Sequence, residues 1–108
     1  VAVSPNTLSI SAGTVSVNAQ NNQVYSITLT QNITLNKPTN GSDMDTIRIR
    51  IIQDGTGGRT ITLATGWDFG SDITDLSLDT TANSVSYITA IYYSTGNVWQ
   101  IISVIGGY

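Results

Sequence analysis

Apolar and polar residues alternate one by one along most of the chain, the period-two pattern of strands with one buried face. Leu8-Ser9-Ile10-Ser11-Ala12 and Val15-Ser16-Val17-Asn18-Ala19 flank Gly13-Thr14 and predict two neighbouring strands. After the polar run Gln20-Asn21-Asn22-Gln23, alternation resumes in Tyr25-Ser26-Ile27-Thr28-Leu29-Thr30-Gln31 and again in Ile33-Thr34-Leu35. A bulge or a switch of sheet near Asn32 is expected to join them. Pro38 and Thr39 to Asp43 read as a loop, because proline lacks a donor and Asn-Gly accepts positive φ. The clearest strand follows, Ile47-Arg48-Ile49-Arg50-Ile51-Ile52-Gln53. Across Asp54-Gly55-Thr56-Gly57-Gly58 it leads to Arg59-Thr60-Ile61-Thr62-Leu63, and two alternating runs about a short glycine-rich segment predict a hairpin. Residues 66–75 lose the period and are expected to form a loop that turns Trp67 and Phe69 inward, with a short strand about Ile73, Leu76 and Leu78. Val85 to Tyr93 and Val98 to Ile105 form a second expected hairpin across Gly96-Asn97, apolar on both faces.

No stretch carries a helical apolar stripe, and turn signals recur every 8 to 12 residues or so. The expected fold is all-β: an antiparallel β-sandwich, jelly-roll-like, of eight or nine strands in a single domain spanning residues 1–108, with a small barrel as the alternative. Composition agrees. Thr and Ser supply 28 residues and Ile and Val 22, side chains suited to a pleated surface. A chain of 108 residues is long enough for one core and too short for two.

Charge and missing residue types narrow the function. Four basic residues, Lys37, Arg48, Arg50 and Arg59, are outnumbered by seven aspartates, so an acidic surface would repel a phosphate backbone and no nucleic-acid partner is expected. No window reaches the roughly 20 apolar residues of a membrane span, and no membrane partner is expected. Val1 is what remains when an initiator methionine is trimmed before a small residue, which favours a free-standing polypeptide. Histidine, cysteine and glutamate are all absent. Triads, thiolate sites and glutamate acid–base pairs therefore go together, and no catalytic residue, cofactor or metal is expected. Asp68, Asp72 and Asp75 sit in no catalytic motif. The Asp54 to Thr60 segment lacks the Gly-Lys-Ser/Thr ending and the helix of a phosphate loop, so it reads as a turn. Asp43 and Asp45 offer hard oxygens to a cation without the spacing of a calcium loop, and an acidic surface loop closed by Asx turns is the preferred reading.

What remains is surface. Trp67, Tyr87, Tyr92, Tyr93 and Trp99 could stack on a sugar, although core packing explains most of them. Tyr92 and Tyr93 are adjacent in a strand and must point to opposite faces, so at least one is an interface candidate. Arg48 and Arg50 share a face and, basic residues being scarce, are assigned to a subunit contact with aspartates. Val1, Val3 and Tyr108 lie in apolar ends that read equally as strands docking by addition and as fraying termini.

Residues 28–104 resemble a β-domain recurring in structural proteins of tailed bacteriophages. The matching residues are Thr28 to Asn36, Pro38-Thr39-Asn40-Gly41, Ile49 to Thr62 with its Gln53-Asp54-x-x-Gly57-Gly58-Arg59-Thr60 turn, and Gly96-Asn97-Val98-Trp99. The first 27 residues lie outside the resemblance. It implies a virion protein that forms a homo-oligomer, often a trimer, with no catalytic residues to carry over. Without a repetitive stem, the chain resembles a capsid decoration (cement) protein bound to the major capsid protein on the capsid surface, ahead of a tail-fibre or carbohydrate-binding domain.

Overall fold

The computed structural model describes residues 4–20, 23–71, 76 and 78–108. Nine strands and no helix appear among them: β1 (Asn6–Thr7), β2 (Thr14–Val15), β3 (Val24–Leu29), β4 (Ile33–Leu35), β5 (Thr46–Gln53), β6 (Ile61–Leu63), β7 (Trp67–Phe69), β8 (Val85–Tyr93) and β9 (Val98–Ile105). Six form a larger sheet in the order β1-β3-β5-β8-β9-β7, and three a smaller sheet in the order β2-β4-β6.

The chain alternates between these sheets for its first six strands. Each strand of the larger sheet is followed by one of the smaller, so neighbours within a sheet are one full circuit apart and run parallel. Three coils are thereby wound one upon the next, in the manner of a β-solenoid. The larger sheet then turns antiparallel, because β8 pairs with β5 and β9 returns along β8. The expected antiparallel jelly-roll is replaced by a mixed larger sheet and a wholly parallel smaller one, and among the described residues no barrel closes, since β1 and β7 end the larger sheet without meeting. Alternation reports which face is buried but not the direction of the neighbour.

Each local expectation can be placed. The switch near Asn32 is present: β3 lies in the larger sheet and β4 in the smaller. The second hairpin is present as β8 and β9. The segments about Leu8–Ala12 and Val15–Ala19 are not neighbouring strands, for β1 and β2 lie in different sheets. Ala12 (φ 51°) and Gly13 (φ 77°) form the tight turn between them, closed by reciprocal bonds of Ser11 and Thr14. Trp67 and Phe69 do pack on the core, but from a strand, β7, parallel to β9. Leu76 and Leu78 pack on the core outside any strand, and Ile73 lies outside the described residues.

The hairpin expected across residues 54–58 is not formed, and β5 and β6 belong to different sheets. The segment is a corner. Gln53 is 2% exposed; its Nε2 donates to the Arg59 carbonyl at 2.8 Å and its Oε1 accepts from the Arg59 amide at 3.0 Å. Asp54 Oδ1 accepts from the amides of Thr56 and Gly57, and Oδ2 takes the Arg59 guanidinium at 3.0 Å. Gly57 (φ 73°) lies so close to Thr80 and Ala82 that a Cβ would meet their backbone at 2.7 Å. The bends thus satisfy their own donors and send the chain across to the smaller sheet.

Between the sheets lies one core. Rows of inward side chains cross the strands in register: Tyr25, Ile49, Ile88 and Val104; Ile47, Ala90 and Ile101; Val15, Leu35 and Leu63. Trp99, fully buried, and Val17, Ala19, Ile27, Leu29, Ile33 and Ile51 complete its buried part. No charged residue precedes Lys37, so the two coils from β1 to β4 are neutral.

Two expected outcomes follow from the corner. Gln53→Leu leaves the Arg59 amide and carbonyl unpaired and should cost about 1–3 kcal/mol in chemical denaturation, while Gly57→Ala, strained in φ and in space, should cost about 2 kcal/mol or more. The second concerns pH. Arg59's side chain first, then the Gly57 amide, hold Asp54 below the ordinary carboxylate range, and the Thr81 amide does the same for Asp79. A carboxylate depressed in the fold contributes stability above its unfolded pKa, about 4, and loses it as pH falls through the folded value. Melting temperature should therefore drop below about pH 4, and Asp54→Asn with Asp79→Asn should flatten that drop.

Candidate functional site

The strand register assigns every outward side chain of the larger sheet. One row reads Thr7, Ser26, Arg50, Tyr87, Ile105, the next Val24, Arg48, Thr89, Ser103. A β-bulge between Thr89 and Ala90 leaves Ile102 without an opposite residue and reverses the alternation of β9. Trp99 and Ile101 are therefore inward before it, Val104 inward after it, and Ile102 and Ile105 stand outward, half exposed.

Arg50 and Tyr87 meet on this face, with the guanidinium carbon 5.8 Å from the ring centroid. Tyr108 completes the group. Gly106 and Gly107 (φ 89°) bring the chain back so that Tyr108 exchanges backbone bonds with Val85, and its ring meets Tyr87 edge-on at 5.9 Å. Tyr108 is thus paired with the start of β8 along one edge. Tyr108 nevertheless belongs to the surface, at 69% exposure. Val1 and Val3 lie outside the described residues.

Tyr92 and Tyr93 point opposite ways, as their adjacency requires. Tyr93 is exposed on the outer face. Tyr92 turns in against Trp99, ring centroids 5.0 Å apart, and donates to Asn97 Oδ1 at 2.8 Å. Lys37 donates to the same oxygen at 2.6 Å and to the Asn97 carbonyl at 3.1 Å. Within the chain, Tyr92 thus ties β8 to the Asn97 turn and to Trp99. Arg48 and Arg50 form no ion pair among the described residues, where the one ion pair is Arg59–Asp54.

The five aromatic side chains weighed as a sugar platform do not assemble. Trp99 is in the core, Trp67 donates its indole N–H to the Leu35 carbonyl at 3.2 Å, and only Tyr87 and Tyr93 face solvent from the sheet. Asp43 and Asp45 spend oxygens on the amides of Ser94 and Ser42. Among the described residues no three acidic groups converge on a cation-sized space. Burial first, then the charge of Asp45, raise the Tyr25 phenol above its ordinary pKa, keeping it the neutral donor that binds the Asn18 carbonyl at 2.7 Å.

Sequence reasoning missed Ile102 and Ile105 and weighed Tyr87 only as a sugar contact. The signal for the first was the Ile101-Ile102 doublet, where one of two adjacent apolar residues must leave the core unless the strand bulges.

Residues 5–97 match a protein family described as "Putative phage tail fibre C-terminal domain". Comparison with curated proteins and with solved structures gave no match. The match begins at residue 5, so the coil of β1 and β2, outside the resemblance read from the sequence, is part of the family's domain. It covers most of the chain, including the corner at Gln53–Thr60 and Asn97. The chain belongs to the phage tail fibre C-terminal domain family and is a structural domain of a bacteriophage virion.

Proposed function

We propose that this domain is carried on the phage tail, as part of a tail fibre, and works there as a non-catalytic module that holds its shape and presents a contact surface. The observation that carries the reading is the family match over residues 5–97. The architecture supports it. Parallel coils stack along one axis with every ladder bond made between successive turns, and an antiparallel hairpin follows the third coil. Such a body resists local opening because its coils share one core.

Capsid decoration, the reading preferred from the sequence, gives way to its tail-fibre alternative. It rested on the shortness of the chain and the lack of a stem, and length says nothing about location. The carbohydrate part of that alternative draws no support from the aromatic residues, which are divided between core and surface.

Immunogold electron microscopy of the parent virion with antibodies raised against the purified domain tests the proposal. Gold is expected at the tail fibres. Decoration of the head shell would overturn it.

A further inference from the structure

We infer that Asn40–Gly41 is a covalent modification site, a spontaneous deamidation site that the fold holds shut and that opens only when Gly41 leaves its seat against Trp99. This concerns the chemistry of the chain itself and holds wherever the domain sits on the virion. Asn40 and Gly41 form the one Asn-Gly pair in the sequence, and Asn40 is exposed, so water reaches its carboxamide. Such a pair reacts by closing a five-membered ring. The Gly41 amide nitrogen, unhindered because glycine has no side chain, gives its proton to solvent and bonds to Asn40 Cγ, from which Nδ2 leaves as ammonia. Water then opens the succinimide at one of its two carbonyls and leaves aspartate or β-linked isoaspartate at position 40.

The geometry blocks the first step. Ring closure needs the Asn40 Cα–Cβ bond and the bond from its carbonyl carbon to the Gly41 nitrogen nearly eclipsed. Asn40 has φ 60°, and the left-handed well that accepts this φ sets the two bonds on opposite sides of Cα–C. Turning that peptide would swing Gly41 out of a seat with little clearance, where a Cβ would stand 2.6 Å from the Trp99 ring and 3.3 Å from Tyr92. The carboxamide is held as well: Nδ2 donates to Asn18 Oδ1 at 3.1 Å, an oxygen that also accepts from the Gln20 amide. On either side the chain is pinned, Thr39 through its amide to the Val17 carbonyl and Ser42 through its amide to Asp45 Oδ2. Reactivity and protection share one cause. Asparagine tolerates the left-handed φ and glycine alone fits against the ring, so the fold requires the pair that it shields. The reaction is also one-way. Aspartate would set a carboxylate against Asn18 Oδ1, acceptor to acceptor, and isoaspartate would add a backbone carbon between two pinned residues, so a modified chain does not reseat Gly41.

Peptide mapping by mass spectrometry of the full chain, held at mildly alkaline pH either native or in guanidinium chloride, decides it. In denaturant, residue 40 should convert from amide to acid, with isoaspartate among the products. In the native chain the conversion should be at least about tenfold slower, because it waits on local opening. Asn18→Ala and Tyr92→Ala, checked for folding by circular dichroism, should each raise the native rate about threefold or more by loosening the seat. Gln53→Leu, which weakens the Gln53–Arg59 corner, should leave that rate unchanged. Equal rates in the native and denatured chain, or no conversion of Asn40 in denaturant, overturns the inference. So does a native rate that rises in Gln53→Leu as much as in Asn18→Ala, which would make unfolding of the whole domain the gate.

Discussion

The amide and carbonyl of Arg59 close on the two ends of one buried side-chain amide, that of Gln53, and the course of the chain beyond β5 depends on this reciprocal bond. A hairpin would have used the far edge of β5 to pair β6. The corner instead satisfies its donors through Gln53 and Asp54, wedges Gly57 against Thr80 and Ala82, and delivers β6 to the smaller sheet. Two consequences follow at once. The third coil closes on the second, and the edge of β5 stays open until β8 arrives from a distant part of the chain. The outer face, with Arg50 beside Tyr87, exists only because that edge was left free.

Period-two alternation made the strands and their buried faces legible. It placed Arg48 and Arg50 outward, set Tyr92 and Tyr93 on opposite sides, and marked the change of sheet at Asn32. Direction was not legible, because a parallel and an antiparallel neighbour ask for the same alternation from a half-buried strand. Gln53 carried the missing information. It shares the parity of Ile47, Ile49 and Ile51, so a polar side chain had to be buried there, and a buried amide needs partners that a simple hairpin turn would not supply. The Ile101-Ile102 doublet hinted at the bulge, whereas the pairing of Tyr108 with Val85 depends on backbone geometry at Gly107, to which the alternation gives no guide.

The residues that carried the resemblance turn out to be architectural. Asn97 (φ 53°) gathers Lys37 and Tyr92, and Trp99 fills the core so tightly that Gly41 can bear no side chain against its ring, where a Cβ would stand 2.6 Å away. Packing at this density has a cost. Among the described residues the Trp99 indole N–H is buried without an acceptor, a penalty of about 1–3 kcal/mol that the surrounding apolar contacts must offset. A signature of this kind identifies a shape, and the same shape can carry different surfaces.

The neutrality of the first two coils divides the molecule electrically. Every charged side chain lies at or beyond Lys37, so acid and salt act chiefly on the later strands and loops, while the side chains of β1 to β4 hold nothing to titrate apart from the phenol of Tyr25. A virion moving between media of different ionic strength would carry a domain with one half indifferent to that change. The other half would register it through its aspartates and through Arg48 and Arg50, which form no ion pair among the described residues.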